Sequence, residues 1–150
     1  MMTISRDLLD RIKAHGEADY PEECCGLLLG EEHQGDQILR EVLPIDNSQD
    51  ANRRRRFLVS PGQYRQAEQA ASDRQMTLLG FYHSHPDHPA VPSAFDTEHA
   101  LPWFTYVIVA VSQGRAMETT AWLLGEDRKK FDERRLIVGT PAGRIPLVAD

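Results

Sequence analysis

His83 and His85 stand two apart at the end of an apolar and aromatic run, Thr77 to Tyr82, whose composition predicts a β-strand. Side chains alternate across a strand, so both imidazoles project from one face. Two imidazoles converging on one point can hold a zinc ion at about 2.0–2.1 Å each. Pro86, Pro89 and Pro92 follow. They predict a stiff, irregular loop that turns the chain back at little entropic cost. Ser93 then opens a short helix that ends by Pro102, with Asp96 in its first turn. Asp96 can supply a third ligand. Two imidazoles and one carboxylate leave a fourth tetrahedral position for water, the arrangement of a catalytic rather than a structural zinc.

Each component also has an ordinary structural explanation. A histidine pair at a strand end is weak by itself. Ser93-x-x-Asp96 fits a capping box in which Asp96 does no more than favour the helix dipole. What points to a metal is the conjunction of histidine pair, proline-stiffened loop and acidic helix start. His88 and His99 are rival ligands at this level, since His99 shares the helix face of Asp96. His15 and His33 are expected at the surface. A catalytic metal also needs a base to take a proton from its water. Glu22 and Glu23 are candidates because they sit at the mouth of an apolar strand, where partial burial raises a carboxyl pKa toward a useful value. Spacing chooses neither of them, and Glu98 stays open as well.

The elements that must position these groups are legible in part. Ile4, Leu8, Leu9 and Ile12 follow helical spacing, with Gly16 as the expected stop. Cys24 to Leu29 is a continuous apolar run and reads as a strand buried on both faces. Ile38 to Ile45 reads as a second strand, and Asp46 to Arg56 as a polar loop. Ser60, Pro61 and Gln63 form a helix start with a capping box, and the helix should run to about Asp73. Tyr106 to Val111 and Met117 to Leu124 read as two strands joined around Gln113-Gly114. Glu126 to Arg135 reads as a charge-rich tail, and Leu136 to Val138 as a last short strand. The order predicts one domain over residues 1–150, an α/β or α+β sandwich with helices packed on a sheet. No G-x-G-x-x-G or P-loop is present.

Composition bounds the function. The chain has 150 residues, 41% hydrophobic and 27% charged, enough to bury a core and stay soluble. Its net charge of −6 argues against a general nucleic-acid binder and gives no attraction to anionic membranes. No apolar run reaches the roughly 18 residues of a membrane helix, and no export signal opens the chain, so a cytoplasmic location is expected. Adjacent Cys24 and Cys25 cannot staple distant segments and are expected to be buried, reduced thiols. Arg53 to Arg56 is a basic run in an acidic protein. Its ordinary explanation is a solvated loop; its functional one is docking of an acidic partner.

His83-Ser84-His85-Pro86, then six residues, then Ser93-x-x-Asp96, resembles the signature of the JAMM (JAB/MPN-plus) metalloproteases in every residue type and spacing. Pro21 to Leu28 resembles that family's first strand, with its catalytic glutamate at Glu23. The resemblance implies a JAB/MPN-like (cytidine-deaminase-like) sandwich, a mixed β-sheet flanked by helices. It implies one Zn2+ per chain, held by His83, His85 and Asp96. It makes Glu23 the proton shuttle and Ser93 a donor to the oxyanion. The short chain looks like the compact bacterial branch, some of whose members trim the C-terminus of ubiquitin-like sulfur-carrier proteins. That substrate is expected ahead of a deubiquitinase-like isopeptidase activity. A non-catalytic scaffold on the same fold is the competing class, but such scaffolds lack part of the metal set. A two-metal phosphodiesterase would need more ligands.

Overall fold

The computed structural model describes residues 1–46 and 59–139. The elements run β1 (Met2–Ser5), α1 (Arg6–Asp19), β2 (Cys25–His33), β3 (Asp36–Ile45), α2 (Pro61–Asp73), β4 (Thr77–Pro86), α3 (Ala94–His99), β5 (Thr105–Ser112), β6 (Arg115–Leu124), β7 (Phe131–Arg134) and β8 (Leu136–Gly139). The Arg53–Arg56 run, and with it most of the expected polar loop, lies outside the described residues.

All eight described strands join one mixed sheet in the order β7-β6-β5-β4-β2-β3-β1-β8. β7 and β8 stand at its opposite ends, yet Arg135 alone separates them in the chain. The sheet must therefore curl until its two edges approach each other. The Met2 amide donates to the Arg135 carbonyl at 2.9 Å, so the link itself is tied to β1 beside β8. Inside the curl lies α1, whose Leu8, Leu9 and Ile12 pack with Met2, Ile4, Leu28, Tyr82, Val107 and Val109. Against the outer face lies α2, whose small Ala67 and Ala71 let it approach Leu27, Leu78 and Phe81 closely. This is the expected α/β sandwich, mixed sheet flanked by helices.

Three expectations need correction. Ile4 belongs to a strand: Ser5 caps α1 by accepting from the Leu8 amide, so the helix starts later than the apolar spacing suggested. Gly16 does not stop α1, which runs on to Asp19. A Cβ at Gly16 would lie 3.0 Å from Val111, so the glycine serves close packing of helix on sheet. The charge-rich stretch after Glu126 holds β7, an edge strand that buries little of either face and so carries no apolar alternation.

One irregularity decides which face carries the histidines. Along β4, Leu78 faces α2 and Leu79 faces α1. Strict alternation from there would send His83 and His85 inward, toward α1. Instead β4 skips a pairing step against β2: Leu28 is opposite Gly80, and Leu29 is opposite Leu78. The extra residue reverses the phase, as a β-bulge does. Phe81, His83 and His85 consequently share the outer face, while Tyr82 and Ser84 turn toward α1. Gly80 permits this close approach, because a Cβ there would sit 1.8 Å from the Thr105 carbonyl oxygen. Gly80→Ala is expected to cost about 3 kcal/mol through forced separation of β4 and β5, read as a lower thermal midpoint.

Candidate metal centre

β4 delivers His83 and His85 to the outer face, and both are buried. The loop then returns the chain to α3, six residues long, where Ser93 and Asp96 form a reciprocal capping box. The Ser93 hydroxyl accepts from the Asp96 amide at 3.0 Å, and Asp96 Oδ2 accepts from the Ser93 amide at 2.9 Å. The same Oδ2 lies 3.3 Å from His83 Nε2 and 3.2 Å from His85 Nε2, and the two Nε2 atoms are 3.2 Å apart. The oxygen that caps the helix is thus also the one within reach of both imidazoles.

The donor set fits zinc. Three ligand atoms on a tetrahedral zinc at about 2.0–2.1 Å stand about 3.3–3.4 Å apart, close to the three separations found. Protonation leads the same way. His85 Nδ1 lies 2.8 Å from the Pro89 carbonyl oxygen, which can only accept, so Nδ1 carries a hydrogen. Nε2 is then the ring nitrogen left facing Asp96 Oδ2, the one a shared metal ion would meet. Among the described residues, His83, His85 and Asp96 are the one cluster of histidine, cysteine or acidic side chains close enough to share an ion. His88 and His99 are exposed and outside this cluster, as is His33. His15 departs from its expected surface position: Nδ1 is 2.7 Å from the buried Tyr82 hydroxyl, on the α1 side of the sheet.

Burial also separates the candidate bases. Glu22 and Glu98 are exposed, whereas Glu23 is 4% exposed and its Oε1 has no partner among the described residues. Removal from water, helped by the nearby Asp96 charge, pushes the Glu23 pKa up from 4.5 to about 9. Asp96 moves the opposite way. Burial alone would raise it, but the adjoining His83 and His85 outweigh that and hold it far below the usual carboxylate range. His83 is lowered by burial, against the pull of Asp96. Cys24, next to Glu23, is buried and pushed up to about 12, again by burial first, so neither thiol of the Cys24-Cys25 pair is a reactive thiolate.

Glu23, His85, Ser93 and the residues His88, Pro89, Val91 and Pro92 line a cleft of about 330 Å³. A narrower, aromatic crevice of about 20 Å³ reaches the centre from the other side, past Tyr64, Tyr106 and Phe131 beside His83 and Asp96. Neither Tyr64 nor Phe131 stood out in the sequence, because nothing local ties them to the histidine pair. No helix among the described residues is long and apolar enough to cross a membrane.

This geometry agrees with what the chain is similar to. A desampylase of Haloferax volcanii is 30% identical over 85% of this chain and 92% of its own length. A CysO-cysteine peptidase of Mycobacterium tuberculosis is 30% identical over 73% of each chain. The solution structure of a protein from Salinibacter ruber superposes with a TM-score of 0.72 at 42% identity, covering 94% of this chain and 93% of that one. The family described as prokaryotic homologs of the JAB domain matches residues 5–125, four-fifths of the sequence, and the chain belongs to it.

Proposed function

We propose that this chain is a zinc-dependent peptidase that hydrolyses a peptide or isopeptide bond at the C-terminus of a ubiquitin-like sulfur-carrier protein. The observation that carries the reading is the convergence of His83, His85 and Asp96 beside the buried, partner-poor carboxyl of Glu23 at an open cleft. The names of the similar desampylase and CysO-cysteine peptidase support the substrate class.

His83, His85 and Asp96 would hold one zinc ion. The chemistry zinc supplies when bound is polarisation of the scissile carbonyl and a nucleophilic water usable near neutral pH. Glu23 accepts the proton of that water and returns it to the departing amine. Its burial makes it a stronger base than an exposed carboxylate, and a nearby cation offsets the rise that burial imposes. Ser93, fixed by the capping box with its hydroxyl at the cleft wall, donates toward the developing oxyanion. Pro89 and Pro92, in the loop that leads to Ser93, stiffen the cleft lining against which an extended substrate tail would be held.

The test is incubation with ubiquitin-like carriers bearing C-terminal extensions, read by intact mass. Cleavage at the carrier's C-terminus, lost on chelation and restored by zinc, is the expected result. A protein that retains one zinc yet leaves every peptide-linked and isopeptide-linked extension intact would overturn the reading in favour of a non-catalytic scaffold. The cytoplasm is the compartment in which such a carrier is expected to be met.

A further inference from the structure

The loop between β4 and α3 is fastened to a strand that takes no direct part in the centre. Ala90 is fully buried, packed with Ile108, Ala110 and Trp122. Its main chain is gripped on both sides by β6. The Thr120 hydroxyl donates to the Ala90 carbonyl at 2.7 Å, and the Ala90 amide donates to Glu118 Oε2 at 3.3 Å. Glu118 and Thr120 lie two apart on β6 and so project from one face. The direction of the Thr120 hydroxyl is settled by Trp122, whose Nε1–H can only donate and lies 2.7 Å from Thr120 Oγ1. That leaves the Thr120 proton for Ala90.

The Ala90 amide and the Pro89 carbonyl belong to one planar peptide group. That carbonyl accepts the His85 Nδ1 hydrogen at 2.8 Å. Fixing the plane from its amide end and from the following carbonyl therefore fixes the acceptor that sets the tautomer and tilt of His85. The partner on the far nitrogen of a metal-binding imidazole determines which nitrogen faces the metal.

We infer that Thr120, oriented by Trp122 and assisted by Glu118, is a positioning residue for His85, acting through the Pro89–Ala90 peptide. The inference rests on the proposed function only in taking His85 as a zinc ligand. Thr120→Val removes the donor at nearly constant volume, and Thr120→Ser restores it. By competition against a chromogenic chelator, Thr120→Val should bind zinc about 10–100-fold more weakly, the usual effect of losing an outer partner, and Thr120→Ser should stay within about threefold of the parent. In the metal-free protein, Thr120→Val should speed hydrogen exchange at the His85 Nδ1 proton and the Ala90 amide by about tenfold, with amides of β2 and β5 unchanged.

Faster exchange at Ala90 with no change at His85, or equal zinc loss in the valine and serine variants, would overturn the inference. If the parent protein takes up no zinc, the proposed function falls. The exchange measurements then still decide whether Thr120 governs His85.

Discussion

Glu23→Gln is expected to lower the rate of amide hydrolysis by about 10³–10⁴-fold, the upper range for loss of a positioned acid–base group, while zinc content stays at the parent level. Glutamine keeps the size and polarity of the side chain but cannot accept the water proton. An unimpaired variant would assign the base elsewhere. The same substitution has a second, opposite effect on the metal-free fold. The Glu23 pKa rises from 4.5 to about 9 in the native protein, chiefly through burial. Between those pH values the folded chain holds a proton that the unfolded chain has released, so this group's contribution to stability falls as pH rises through that window. Glutamine has no proton to lose. Metal-free Glu23→Gln should match the parent near pH 5 and exceed it at pH 8 by about 4 kcal/mol, or about 8–16 °C in thermal midpoint. Equal midpoints at pH 8 would show that the buried carboxyl ionises freely.

The second large effect is expected at Asp96. Its Oδ2 meets both imidazoles and the Ser93 amide. Asp96→Asn retains an oxygen for the cap but removes the negative charge from the ligand set. Zinc affinity should fall by more than the ~100-fold that loss of an outer partner brings, with a modest change in fold stability. Asp96→Ala removes the cap as well and should cost a further ~1 kcal/mol. The contrast between the two variants, measured as zinc content and as melting of the metal-free proteins, separates the oxygen's two duties. Retention of full zinc content by Asp96→Asn would show that the histidines alone bind the metal.

Much of this centre was legible because its parts are local. Period-two alternation puts His83 and His85 on a common face whatever the rest of the chain does. The Ser60–Gln63 capping box was readable for the same reason and is formed. Where contacts are distant in sequence, reading stopped. β1 exists through parallel pairing with β3 and β8, which no window around Met2–Ser5 contains. The bulge at Gly80 decides which side of the sheet receives the imidazoles, and it leaves only a glycine as its trace. Spacing left Glu22, Glu23 and Glu98 undistinguished and only the family resemblance pointed to Glu23; in the fold, burial sets Glu23 apart. The grip of Thr120 on Ala90 spans 30 positions and has no local pattern.

The one-residue link at Arg135 has a consequence for how the molecule breathes. β7 and β8 are each four residues long, and among the described residues each is held to the sheet along one side only, by β6 and β1 respectively. With so short a tether, neither can peel away without pulling on the other. Fraying at opposite ends of the sheet is thereby joined into a single cooperative opening. Amides of Asp132 and Ile137, remote along the strand order, should share one exchange rate, and that opening exposes α1 while leaving the histidine-bearing strand closed.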